Sequence, residues 1–345
     1  MLENKTELRQ KRLNMHIWVL TDGKAGDVLP CRGIANKLAA LMMKDRVKAQ
    51  ITERVVNPSK PWVWLMPFGP IDPAEKSTKP NSPLAPDYPD VAIASGRRAV
   101  PYLKKLKRMA PNCVTVFIKD PRTGTGAADI IWVPSHDKLR GHNVLVSDTG
   151  PHHIEQGDLN KRRAIPHKDL FPLPEPRLTI LLGGPSGQTR YTDTDLAVLR
   201  SQVSNLARQA GSVLITTSRR TPDNWLENFS HIIGDKPSLV WTPQSPEPNP
   251  YIEFLAAGNA LVVTGDSHNM IGEALCAGVA VYVFTPQKLA PKLQRFTKRL
   301  FAQKLAIPLG ETEGQALELT QQNPIDSSAI IIEQIRKRIL APDST

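Results

Sequence analysis

Residues 259–284 read NALVVTGDSHNMIGEALCAGVAVYVF. The apolar run at 260–263 has strand character, and it gives way to the small polar residues Thr264, Gly265, Asp266 and Ser267. A second apolar run follows at 279–284. The intervening segment has room for a helix, which Asp266 or Ser267 can cap through a side-chain oxygen. Strand, polar turn, helix, strand is a βαβ unit, whose two strands run parallel through a right-handed crossover.

Outward from this unit the same logic repeats. Residues 178–182, 213–217 and 239–241 are further strand candidates, and Leu196, Leu199, Val203 and Leu206 mark a helix between two of them. The first half offers apolar runs at 16–20, 50–56, 91–94, 113–118, 130–133 and 144–146, with helical spacing at Ile34, Leu38, Leu41 and at Val100, Leu103, Leu106. Strands alternating with helices place the chain in the α/β class, as two doubly wound, Rossmann-like domains facing a cleft. Ligands are then expected at the carboxyl ends of the strands.

Prolines divide the chain. Pro166, Pro172, Pro174 and Pro176 separate the halves, so the expected division is 1–170, 171–325 and a C-terminal helix in 326–345 that can cross back to the first domain. That helix carries Ile330, Ile331, Ile332 and Ile335, which need an apolar partner. Nine prolines between Pro58 and Pro89 make that stretch a loop or insertion rather than helix or sheet.

Composition narrows the function classes. A length of 345 residues suits two domains, and 40% apolar residues suffice for packed cores. The longest nearly unbroken apolar run, 274–284, is too short to span a bilayer, which takes ~20 residues. The charged opening MLENKTELRQKRLNM lacks the apolar core of a signal peptide. Cys31, Cys113 and Cys276 are isolated from one another, and the eight histidines show no zinc spacing, so a cytoplasmic protein without a metal site is expected. The net charge of +11 favours an anionic partner.

Four strand ends carry candidate chemistry. Thr21-Asp22-Gly23-Lys24-Ala25-Gly26-Asp27 follows the first strand, where glycines admit a ligand to the backbone and a helix start attracts anions. An ordinary βα turn fits the same residues. Leu182-Gly183-Gly184-Pro185-Ser186 opens the second half and can present amides to a phosphate, or simply be a turn that needs positive φ. Ser218, Arg219 and Arg220 end the next strand, and guanidinium groups suit a diphosphate. Finally, hydroxyls and amides at Thr264, Asp266, Ser267 and Met270 suit phosphate oxygens, and Glu273 can accept bonds from a ribose diol; a plain cap and a solvated helix face are the alternatives. Asp193-Thr194-Asp195 looks like a metal-binding pair but reads as a helix start.

A basic cluster, Arg97, Arg98, Lys104, Lys105, Lys107 and Arg108, suits anionic headgroups or a solvated face. Trp62, Trp64, Leu65 and Phe68 in the proline-rich stretch suit a membrane interface or a small satellite core. No aromatic-basic platform or helix-turn-helix points to specific nucleic-acid binding.

The stretches TDGKAG at 21–26, ASGRRA at 94–99, VPSHD at 133–137, LLGGPS at 181–186, TTSRRTP at 216–222 and the long run 249–284 resemble the elongated mitochondria (ELM) family. Its plant members are named for mitochondrial fission, and its bacterial members carry a provisional glycosyltransferase label. The run at 249–284 is also distantly similar to the nucleotide-binding half of the N-acetylglucosaminyltransferase that makes lipid II. The resemblance implies a GT-B fold, a nucleotide-sugar donor held by the C-terminal domain and a glycan or lipid-linked acceptor toward the N-terminal one. It implies Ser267 and Met270 at the diphosphate and Glu273 at the ribose. The acceptor side would draw on Gly23, Lys24, Gly26, Arg97 and Arg98. The relative's histidine base is missing from this loop, which leaves Asp22 as the base, with Asp27 in reserve. The activity so implied is metal-independent, inverting-type glycosyl transfer with no cofactor beyond the nucleotide-sugar, in the cytoplasm or peripheral at the inner face of the membrane. A non-catalytic membrane or interaction protein and a nucleotide-sugar epimerase are the competing readings.

Overall fold

The computed structural model describes residues 14–187, 189–311 and 315–340. They form two compact units, one built from the chain up to residue 153 together with residues from 327 onward, the other from residues 154–326.

The first unit contains β1 (Asn14–Thr21), α1 (Ala25–Lys44), β2 (Lys48–Val55), the short α2 (Trp62–Leu65), β3 (Val91–Ser95), α3 (Ala99–Met109), β4 (Val114–Ile118), β5 (Ile130–Pro134) and β6 (Val144–Ser147). Its sheet runs β2-β1-β3-β4-β5-β6, with every pair parallel. Parallel central strands are covered on both faces, which is why β3, β4 and β5 are buried along their whole length. Side chains alternate between the faces. Ile17 and Val19 join Ile34, Leu38 and Ile93 on one side; Trp18 and Leu20 join Val100, Leu103, Leu106 and Phe117 on the other.

The second unit contains α4 (Gln156–Ala164), β7 (Arg177–Leu182), α5 (Asp193–Gln209), β8 (Ser212–Thr217), α6 (Asn224–Ile233), β9 (Ser238–Trp241), α7 (Tyr251–Ala257), β10 (Ala260–Thr264), α8 (His268–Leu275), β11 (Ala280–Phe284), α9 (Pro291–Ala302) and β12 (Ile307–Pro308). Its sheet runs β12-β11-β10-β7-β8-β9, again all parallel. Leu178, Ile180 and Val262 pack with Leu199, Val203 and Leu206 of α5; Leu181, Leu261 and Val263 pack with Ile271 and Leu275 of α8.

The final helix, α10 (Ser328–Leu340), belongs to the first unit, where Ile331, Ile332 and Ile335 enter the core beside Ile34 and Leu38. Buried Thr149 and Ser327 hydroxyls share a 2.6 Å hydrogen bond at its start. The division between units falls at 153/154 rather than 170/171. The reason is α4: Leu159 lies in the core with Leu261 and Ile271, and the Arg162 guanidinium donates to Glu253 of α7. The proline stretch 166–176 therefore lies within the second unit. The 58–89 stretch differs from a plain loop too, since it holds α2 and a single 3₁₀ turn at Pro73–Glu75, capped by Asp72 Oδ1 accepting from Ala74 N at 2.8 Å.

Candidate functional site

In each sheet the strand order reverses once, between β1 and β3 in the first and between β7 and β10 in the second. A doubly wound sheet opens a crevice at such a switch point, outside the carboxyl ends of the two strands. The loops after these four strands carry residues that the sequence singles out, and so does the loop after β8, with Ser218, Arg219 and Arg220.

In the second unit, the β7 and β10 ends are tied by Asp266, whose side chain is fully buried. Its Oδ2 accepts from Gly184 N at 3.0 Å and from Arg220 Nη2 at 2.8 Å, and its Oδ1 accepts from the Tyr191 hydroxyl at 2.8 Å. Burial, reinforced by this carboxylate, pushes the Tyr191 hydroxyl well above its ordinary value, so it remains a donor. Thr264 Oγ1 accepts from Gly183 N at 2.7 Å. The amides of Gly183 and Gly184 are thus already used within the protein, in contrast to the expectation that they face a phosphate. Nor are these glycines explained by positive φ. They are required by close approach: a Cβ at Gly183 would lie 2.3 Å from the Asp266 carboxylate, and one at Gly184 would lie 2.1 Å from the Arg220 carbonyl oxygen.

Four of the expected ligand groups, Gly183, Gly184, Thr264 and Asp266, therefore build the crevice through bonds to one another rather than lining it with free groups. Ser186 closes a small bridge with Thr189. Ser218 N donates to Thr221 Oγ1 at 2.9 Å, and Thr221 Oγ1 donates to Leu182 O at 2.9 Å, which joins the β8 end to the β7 end. Arg219 is exposed, and Arg220, with its other guanidinium nitrogen 3.0 Å from Gly184 O, keeps a 39% exposed side chain. The Arg220 guanidinium is the cationic group at the crevice, and Arg219 precedes it on the same loop.

Helix α8 starts at the same end of β10. Ser267, not Asp266, is its cap: Ser267 Oγ accepts from Met270 N at 3.3 Å. Glu273 lies on this helix, half-buried rather than on a solvated face, and Oε2 accepts from the Tyr251 hydroxyl at 2.8 Å. Burial raises the Glu273 carboxyl from an ordinary 4.5 to about 7, although the tyrosine hydroxyl pulls the other way.

That shift has a consequence for stability. The folded carboxyl keeps its proton up to about pH 7, whereas an unfolded glutamate releases it near 4.5. The contribution is therefore fully present below the unfolded value and is lost as pH rises through about 7. At 1.36 kcal/mol per unit, Glu273→Gln should gain on wild type by roughly 1–3 kcal/mol between pH 4.5 and 8. Paired denaturation curves across that range check this, and a pH-independent difference would mean the carboxyl titrates normally.

In the first unit, the switch-point crevice holds Asp22, whose side chain is only 2% exposed. Its Oδ2 is 2.8 Å from Lys24 Nζ and 3.8 Å from Arg98 Nε. Asp27 Oδ1 accepts from Ser95 Oγ at 2.8 Å and from Lys119 Nζ at 2.9 Å, and Lys119 Nζ also donates to Gly26 O at 3.0 Å. The glycine-rich turn is so pinned to the ends of β3 and β4. Lys119 holds this position at φ +81°, a left-handed conformation that costs a non-glycine residue about 1–3 kcal/mol. Gly23, Lys24, Gly26 and Arg97 are exposed around it.

Lys119, Ser95, Tyr191 and Tyr251 were not anticipated. Lys119 directly follows an apolar strand, the signal that identified Asp22, and could have been found by it. Tyr251 lies 22 residues from Glu273 in sequence, and nothing local links them. Asp195 is structural, as its sequence context indicates: it forms a capping box with Thr192. Among the described residues no cluster of three or more histidines, cysteines or carboxylates could hold a metal ion, and no helix is long and apolar enough to cross a membrane.

The family model for Mitochondrial fission ELM1 matches residues 25–339. The chain belongs to this family. The Mitochondrial fission protein ELM1 of Arabidopsis thaliana is 29% identical over 281 residues, or 74% of this chain. The match spans 65% of the Arabidopsis protein's own length. An uncharacterized protein of Rickettsia prowazekii is 24% identical over 93% of this chain and 98% of its own length. Among solved structures, the UDP-GlcNAc 2-epimerase of Neisseria meningitidis bound to UDP-GlcNAc superposes with a TM-score of 0.50 at 11% identity, covering 94% of this chain and all of that one. This ELM1-family chain therefore has a GT-B-like fold.

Proposed function

We propose that this ELM1-family protein is a glycosyltransferase that moves a sugar from a nucleotide-sugar to a lipid-linked or envelope glycan acceptor, with no metal ion, in the cytoplasm and peripheral at the inner face of the membrane. The observation that supports the reading is Arg220 bound to Asp266 at the β7/β10 switch point, where the Ser267-capped helix that carries Glu273 begins and Arg219 precedes Arg220 on its loop. Cationic side chains and a helix start suit a diphosphate, and a carboxylate suits a ribose diol. In the reaction, the acceptor oxygen bonds to the anomeric carbon as the bond from that carbon to the diphosphate breaks. The acceptor proton passes to Asp22, and the diphosphate leaves with its charge stabilised by the arginines. Lys24, Arg97 and Arg98, with the Gly23 and Gly26 turn, hold the acceptor side.

One observation favours a non-catalytic reading. Asp22 and Arg220 already have internal partners, Lys24 and Asp266, as in a scaffold, and the Arabidopsis relative is named for fission rather than transfer. An epimerase would use the same nucleotide crevice but need no acceptor. Calorimetric titration with uridine and guanosine diphosphates separates these. Wild type should bind one of them, and at pH 8, where Glu273 is ionised, Glu273→Ala should weaken it by about 1–3 kcal/mol, the cost of losing a charged hydrogen-bond partner. No binding by wild type would leave the scaffold reading. Sugar appearing on a second molecule, rather than as an epimer, distinguishes transfer from epimerisation.

A further inference from the structure

A groove of about 1070 Å³ lies in the first unit. One wall is apolar: Trp62, Pro67, Phe68, Pro70, Ile71 and Pro101. The other is cationic: Lys76, Lys104, Lys105, Arg108 and Arg122. No acidic residue lines it, and among the described residues none of these five side chains is in an ion pair. At the rim, α2 and the turn after it expose Trp64 (66%), Leu65 (47%) and Phe68 (76%). Side chains this large are normally withdrawn from water, and three together on one short segment mark a contact surface. Buried Asp72 holds the segment in place by accepting from both the Ser59 amide and hydroxyl, at 2.7 and 2.6 Å, while the Tyr102 hydroxyl of α3 donates to Glu75. The apolar rim is thereby fixed beside the basic face of α3.

We infer that this face seats on an anionic bilayer, with phospholipid phosphates in the cationic groove and Trp64, Leu65 and Phe68 at the acyl boundary. The inference deepens the peripheral-membrane part of the proposed function and does not depend on sugar transfer. Charge complementarity selects an anionic partner, and the apolar rim selects lipid over a polyanion that offers phosphate alone. Tryptophan suits the headgroup level, and each basic residue near such a surface strengthens binding roughly five-fold.

The test is sedimentation of the full-length protein with phosphatidylcholine vesicles, with and without 30% phosphatidylglycerol as probe. Wild type should bind the anionic vesicles at least ten-fold more tightly, and the difference should shrink at high salt. Lys104→Gln/Lys105→Gln/Arg108→Gln should lose on the order of 100-fold, while Lys104→Arg/Lys105→Arg should bind like wild type. Trp64→Ser/Phe68→Ser should bind about ten-fold more weakly yet keep the salt dependence. It also remains informative if the triple variant does not fold. Equal binding to neutral and anionic vesicles, no binding at all, or unchanged binding by the variants overturns the inference. So does tighter binding to single-stranded RNA that the same glutamine variant abolishes, which would make this a nucleic-acid surface. Nucleotide titration of the same samples keeps a failure here distinct from a failure of the donor site.

Discussion

Asp266→Ala should lower the unfolding free energy of the second unit by about 2–6 kcal/mol, chiefly the cost of leaving two buried donors without a partner. The carboxylate is wholly buried and accepts from Gly184 N, the Tyr191 hydroxyl and Arg220. Alanine leaves the first two donors without a partner, each costing about 1–3 kcal/mol. Arg220 is partly exposed and can rehydrate, so its share is small. Asp266→Asn fills the same space but turns an amide nitrogen toward one of the donors, and should fall between alanine and wild type. Urea unfolding of the three proteins decides the matter, and a loss below about 1 kcal/mol for alanine would show that the crevice relaxes around the missing group. Because Asp266 also holds the β7 and β10 ends together, the proposed function has the folded fraction of the alanine variant lose nucleotide binding.

The same residue shows what could be read in advance. Its position at the end of an apolar strand, before a helix, was legible, because strand periodicity and polar ends are local properties of sequence. Its role was not. As a helix cap or a ligand contact it would act on neighbours in the chain, whereas its partners Gly184, Arg220 and Tyr191 lie 46 to 82 residues away. Glycines 183 and 184 follow the same rule: close packing against Asp266 and Arg220 requires them, and sequence distinguishes that poorly from a turn or a phosphate cradle. The alternation of strands and helices revealed two doubly wound units, but strand order, and with it the two switch points, depends on which crossovers are made. The two-residue β12 carries too little pattern to be seen. The proline stretch at 166–176 marked a composition change and not the division itself, because α4 on its N-terminal side buries Leu159 in the second core.

Asp22→Asn should reduce sugar transfer by about 10²–10⁴-fold while leaving nucleotide affinity and the melting temperature close to wild type. The first expectation follows from the proposed role, since asparagine cannot take the acceptor proton. The other two follow from the structure: an asparagine oxygen can still accept from Lys24, and asparagine fills the same buried space as the aspartate. Asp27 provides the contrast. Its Oδ1 is occupied by Ser95 and Lys119, which tie the turn to the β3 and β4 ends, so it positions the loop and is badly placed to accept a proton from substrate. Asp27→Asn should therefore lower stability as well as transfer, with a smaller loss of rate than Asp22→Asn. Rates from radiolabelled nucleotide-sugar, read beside melting curves, separate the two carboxylates. If Asp22→Asn transfers as fast as wild type, Asp22 is not the base. If Asp27→Asn loses transfer entirely while its melting temperature is unchanged, the proton goes to Asp27 and the contacts from Ser95 and Lys119 serve to orient it.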